Sequence, residues 1–162
     1  MNFTLFQFIE KVKSLILEND QQVEISINEK IILDFLYRWI RPIRVGDLKN
    51  YLNVKHSTLN SQLQNLEEKH LIKWKRYGSV ELTEKGKKYS SHLTRHHRIL
   101  ELFLVETLAI SVSEAHKIST EITPVASCKF IHYIVQKFGE QDKCPCGNEI
   151  PQIEGKCSIG GI

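Results

Sequence analysis

The strongest constraint on the fold is the run from Pro42 to Gly86, where two short segments with apolar periodicity stand two residues apart and a hairpin signal follows at once. Leu48 and Leu52 mark one face of the first segment, residues 45–52, and Leu59, Leu63 and Leu66 mark one face of the second, residues 56–70. Only Asn53 and Val54 separate them, a turn so short that the helices must cross sharply. With the apolar faces locked together, His56, Ser57, Asn60, Ser61 and Gln64 are left largely outward on the second helix. These side chains are polar and short enough to hydrogen-bond base edges or phosphates. Residues 72–76 and 79–83 read as strands around Tyr77-Gly78, where glycine supplies the freedom a tight turn needs. The hairpin sets Lys73, Lys75 and Arg76 beside the second helix. Paired short helices alone are common in small bundles; the basic hairpin sharpens the expectation to a winged helix-turn-helix that binds double-stranded DNA.

Charge agrees with that placement. The net charge of +3 looks small, but residues 41–98 carry thirteen Lys or Arg against five Asp or Glu, while 1–40 and 99–162 are mildly acidic. A basic middle segment suits release of counterions from phosphates, and equally suits a solvated basic face. The longest apolar stretches fall well short of the roughly 20 residues of a membrane span. Residues 1–20 mix apolar side chains with Glu10, Lys11, Lys13 and Glu18 and show no leader pattern, so a cytoplasmic protein without a membrane partner is expected.

The remaining chain reads as helices, and the predicted fold class is mainly α. Residues 3–17 carry an apolar stripe; residues 27–40 form a helix capped by Ser26 and stopped by Pro42. A long helix spans 84–108, Ser113 caps a shorter one to about 121, and Thr123-Pro124 begins a last one that ends at Gly139. The expected organisation is an N-terminal amphipathic helix over 1–24, a winged helix-turn-helix over 25–88, a helical dimerisation and metal-binding domain over 89–142, and a cysteine-rich tail over 143–162.

Two groups of residues carry chemistry. His97 and Glu101, four apart on the long helix, project from one face and are expected to share a divalent ion with His116. The bland alternative is a helix-surface pair with His116 merely packing. Cys144 and Cys146 flank Pro145 and precede Gly147, a tight loop in which two thiolates can converge; Cys157 follows eleven residues later. In a reducing compartment clustered cysteines are more often metal ligands than disulfides. Cys128 is the expected fourth ligand and His132, one turn on, the reserve. Four cysteines suit an iron–sulfur cluster, the preferred occupant, or structural Zn²⁺, although the spacing matches neither ferredoxins nor standard zinc fingers. Free thiols in a loose tail are the alternative.

Taken in order, the winged helix-turn-helix, Leu82-Thr83-Glu84-Lys85-Gly86, His97-Arg98-Ile99-Leu100-Glu101, His116 and Cys144-Pro145-Cys146-Gly147-Asn148-Glu149-Ile150-Pro151 resemble the diphtheria-toxin-repressor (DtxR/MntR) family of metal-dependent regulators. The resemblance covers roughly residues 26–151. It implies a DNA-binding domain, a helical dimerisation domain with metal sites between the two and, at this length, no SH3-like third domain. It also implies that His97, Glu101 and His116 are the family's ancillary site. The family's primary site does not carry over: its positions hold Asn28, Thr120, Thr123 and Pro124, poor or impossible ligands for these metals. In the tail, Cys146 stands where the family often has histidine. The resulting expectation is a homodimeric, non-enzymatic repressor of metal or iron homeostasis genes that senses through the cysteine set. A repressor activated by Fe²⁺ or Mn²⁺ at His97, Glu101 and His116 is the first alternative. A metal-transfer or redox protein is the second.

Overall fold

The computed structural model describes residues 24–39, 41–75 and 78–153. The expected helix over 3–17, Arg76 and Tyr77 of the hairpin turn, and Cys157 lie outside the described residues. Six helices and three short strands follow one another among those described: α1 (Ile27–Trp39), β1 (Ile43–Arg44), α2 (Val45–Leu52), α3 (His56–Glu68), β2 (Ile72–Trp74), β3 (Ser79–Leu82), α4 (Glu84–Leu108), α5 (Val112–Ile122) and α6 (Cys128–Phe138). The architecture is the expected winged helix-turn-helix followed by a helical half.

Local chemistry sets most boundaries. Ser26 and Glu29 form a capping box at the start of α1, with the Ser26 hydroxyl accepting from the Glu29 amide at 3.3 Å and the Glu29 carboxylate accepting from the Ser26 amide at 2.7 Å. Asn53 closes α2 in the left-handed conformation (φ 51°), which Asn tolerates better than most residues and which turns the chain sharply into α3. Thr83 caps α4 by accepting from the Gly86 amide at 3.0 Å. A side chain at Gly86 would overlap the Leu71 carbonyl oxygen, so only glycine lets α4 approach the strand this closely.

Two expected boundaries are corrected. Ser111, not Ser113, caps α5, accepting from the Glu114 amide at 3.2 Å. The last helix starts at Cys128, capped by Ser127, rather than at Pro124. Thr123 instead ends α5: its hydroxyl donates to the Ser119 carbonyl at 2.6 Å, and the amides of Val125 and Ala126 fold back to the Ile122 carbonyl. The local signal of threonine before proline was outweighed by this back-bonded turn.

A strand that periodicity did not reveal, β1, pairs antiparallel with β3 and makes the sheet order β1-β3-β2. Two residues are too few for an alternation signal. One apolar core gathers Leu33, Leu48, Leu59, Leu63, Leu66, Val80 and Leu93 beneath the winged helix. A second holds Ile99, Leu100, Ile131, Ile134, Cys144 and Ile150. The 25-residue α4 runs through both and, at 1.5 Å per residue, extends about 37 Å. It packs against α1 in one half and against α5 and α6 in the other.

Candidate metal centre and nucleic-acid interface

On α4, residues four apart are nearly eclipsed, and His97 and Glu101 present themselves together to α5. His116 of α5 meets them. Its Nδ1 lies 2.7 Å from Glu101 Oε1 and 3.2 Å from His97 Nε2, and His97 Nε2 is 3.1 Å from the same carboxylate oxygen. Glu101 is 1% exposed, a burial that an ionised carboxylate tolerates only with partners. Burial alone would raise its pKa, but hydrogen bonds from His97, His116 and the Cys144 thiol hold it well below the usual carboxylate range.

The tail reaches the same carboxylate from the other side. Residues 142–150 form a tight knuckle: the Cys144 amide donates to the Asn148 carbonyl, the Gly147 amide to the Cys144 carbonyl, and the Ile150 amide to the Asp142 carbonyl, all within 2.9 Å. Gly147 takes φ +84°, which suits glycine. Arg95 of α4 ties this knuckle down, donating to the Pro151 carbonyl at 3.1 Å and pairing with Glu140. Cys146 Sγ then stands 3.4 Å from Glu101 Oε2 and accepts from Asn148 Nδ2 at 3.1 Å. Cys144 is buried, and burial together with the hydrogen bonds to Cys146 and Glu101 raises its thiol pKa, while the amides of Cys146 and Asn148 pull the other way. Glu101 is thus shared by two ligand groups, His97-Glu101-His116 and Glu101-Cys144-Cys146, each with its donor atoms within 4.8 Å of one another. The sequence spacing suggested two separate sites; the fold joins them through one carboxylate.

Among the described residues, Cys128 is not gathered with Cys144 and Cys146. Cys128 lies at the start of α6 against His92 and His96 of α4, while Cys144 and Cys146 lie with Glu101. His132 is exposed on α6 and belongs to neither ligand group. The physical reason is rotation about α4: at ~100° per residue, His92 and His96 face a different side from His97 and Glu101. Of the positions that replace the family's primary ligands, Asn28 and Thr120 are exposed. Thr123 has a role that spacing did not reveal. Its only hydroxyl proton goes to the Ser119 carbonyl, so toward His97 Nδ1, 3.4 Å away, its oxygen can only accept. In that contact the Nδ1–H of His97 donates, which orients the ring with Nε2 toward Glu101 and His116.

In the winged helix, His56, Ser57, Ser61 and Gln64 are exposed on α3 and Asn60 is half-buried, with Gln64 donating to Glu68 at 3.1 Å. Lys73 and Lys75 are exposed on the hairpin. Arg44 and Gly46 line a shallow groove with His56 and Asn60, where the N-termini of α2 and α3 converge. Arg44 and this groove were not singled out from sequence, because β1 that carries Arg44 was not.

Residues 83–152 match the family of iron-dependent repressor metal-binding and dimerisation domains. The chain is 29% identical over 115 residues to an uncharacterised HTH-type transcriptional regulator of Methanocaldococcus jannaschii, a span of 71% of this chain and 85% of that protein. Among solved structures it resembles a hypothetical protein of Sulfolobus solfataricus, with TM-score 0.65 and 26% identity over 79% of this chain and all of the other. It also resembles a manganese-dependent transcriptional repressor in complex with manganese, with TM-score 0.69 and 25% identity over 76% of this chain and 58% of that one. With the winged helix before the matched domain and the ligand residues within it, the chain resembles the diphtheria-toxin-repressor (DtxR/MntR) metal-dependent transcriptional regulators in both halves.

Proposed function

We propose that this protein is a cytoplasmic, homodimeric DNA-binding regulator whose operator affinity depends on a divalent metal held by Glu101, His97, His116 and the Cys144-Cys146 loop. The observation that carries the reading is the buried Glu101 carboxylate, with imidazoles of two helices on one oxygen and a tail thiol on the other. The donor set fits a metal: two imidazoles, one carboxylate and two thiols suit Zn²⁺ or Fe²⁺ better than the harder Mn²⁺. Bound there, the ion would supply positive charge to a site where one carboxylate and two thiols converge. The residues themselves link α4, α5 and the tail, and α4 continues into the winged helix. Among the described residues only two thiols meet at this carboxylate, so a mononuclear ion is preferred here over an iron–sulfur cluster.

On the DNA side, His56, Ser57, Asn60, Ser61 and Gln64 would face base edges and phosphates, with Lys73, Lys75 and Arg76 on the flanking phosphates. Val125, Phe130 and Tyr133 are exposed around α6 and offer the apolar surface a dimer would cover.

The test is fluorescence anisotropy with genomic fragments, run on chelated protein and after addition of Zn²⁺ or Fe²⁺ without oxygen. Metal-dependent binding that is lost in H97A and C146S is expected. Equal affinity with and without metal, or full metal dependence in both variants, overturns it. A chromophore with stoichiometric iron and sulfide after anaerobic purification would return the cluster to first place.

A further inference from the structure

A separate constellation lies on the other side of α4, within reach of the winged helix. His92 and His96 are 8% and 1% exposed, with rings edge-on at 4.8 Å between centroids. Cys128, the first residue of the 11-residue α6, brings its Sγ to 3.8 Å from His92 Nε2. One ligand atom of each residue lies within 4.8 Å of the others. Two buried imidazoles on consecutive turns of a helix, closed by a thiol from another helix, are an arrangement of soft and borderline donors with no carboxylate among them.

We infer that His92, His96 and Cys128 form a second transition-metal site, of the His₂Cys type, for a borderline or soft ion such as Zn²⁺ or Cu⁺. Two further points agree. The thiol sits at a helix N-terminus, where the backbone amides and the helix dipole favour the thiolate. Three protein ligands leave a fourth position for water or an exchangeable ligand.

Its location couples it to the winged helix. Tyr89, three residues before His92, is half-buried and within electrostatic reach of both Cys128 and Glu29, and burial together with these two raises its pKa. Glu29 of α1 pairs with Lys69, the residue that ends the recognition helix α3. Lys30 of α1 donates to the Pro124 carbonyl at 3.1 Å, four residues before Cys128. A ligand at Cys128 therefore sits where the helical half is fastened to the DNA-binding half.

Co²⁺ serves as the probe, because a bound thiolate gives a near-ultraviolet charge-transfer band that nitrogen and oxygen ligands do not. The full chain carrying C144S, C146S and C157S retains Cys128 alone among its thiols. That protein should bind Co²⁺ with the thiolate band, and adding C128S should abolish the band. H92Q should weaken binding about 100-fold or more, since losing a direct ligand exceeds the 10- to 100-fold cost of losing an outer partner. A folded single-thiol protein without the band overturns the site, whatever the Glu101 centre does. Should the triple variant not fold, alkylation of the unmodified chain followed by mass spectrometry decides. Zn²⁺ protecting Cys128 in the unmodified chain but not in H92Q supports the site; equal labelling with and without Zn²⁺ overturns it.

Discussion

Ala109 ends α4 in the left-handed conformation (φ 52°) with its side chain exposed, a position where helices usually place glycine. An L-residue there costs about 1–2 kcal/mol, of which glycine returns part as lost entropy. A109G is therefore expected to stabilise the protein by about 0.5 kcal/mol, read as a higher urea midpoint at unchanged slope. Glu29 tests the opposite case, a single buried charge. Burial works to raise its pKa, yet the Lys69 ammonium at 2.8 Å and the Ser26 amide bring it below the ordinary carboxylate value. Because the folded pKa is the lower one, the stabilisation is complete above the unfolded value and disappears as pH falls through the folded one. E29Q should cost about 2 kcal/mol at neutral pH, by the worth of a hydrogen bond to a charged group, and less as the solution is acidified below about pH 4. Parallel denaturation of both proteins at pH 7 and pH 3.5 checks it; a pH-independent difference would contradict the assignment.

Among the elements, α3 and the end of α5 show how much a helix depends on what it packs against. Leu59, Leu63 and Leu66 are fully buried against the rest of the winged helix, and α3 has no side-chain cap at its N-terminus. Tertiary packing therefore holds it in place. L63A should lower stability by about 3 kcal/mol through transfer and cavity terms together, measured by thermal or urea unfolding. At the other element, Thr123 ends α5 and orients His97. T123V keeps the volume, and the Ser119 carbonyl still accepts from the Thr123 backbone amide at 2.9 Å, so the fold should survive. Metal affinity at the Glu101 centre should fall about 10-fold, the usual cost of losing an outer-shell partner. Competition with a chromogenic chelator measures it, and unchanged affinity would remove Thr123 from the site.

For the molecule as a whole, α4 is the only described element that belongs to both cores, with Leu93 in one and Ile99 and Leu100 in the other. A ligand on the helical half reaches the recognition helix through it and through the α1 contacts beside Cys128. If binding is coupled at the 1–3 kcal/mol common between such sites, chelation should weaken operator binding about 5- to 150-fold. The wing adds a term of its own. K73A should weaken binding to all sequences alike and reduce the slope of log affinity against log salt by about 1, as expected for one lost phosphate contact. A slope equal to that of the unmodified protein would take Lys73 off the DNA.

Local patterns in the chain determined a good deal: the helix-turn-helix from apolar spacing and Asn53, the hairpin from Gly78, the start of α4 from Thr83, the knuckle from Cys144 to Gly147. Each rests on contacts within a few residues, which is the range over which spacing and propensity carry information. The partners of the ligand residues were decided at longer range. His97, Glu101 and His116 could be paired by residue type, but that Cys146 shares their carboxylate depends on Arg95 fastening the tail to α4. Cys128 looks in sequence like a fourth thiol for the tail, and the rotation of α4 together with the start of α6 at Ser127 gives it to His92 and His96 instead. Which side chains face one another across two helices is set by how those helices pack, and only the tertiary structure holds that information.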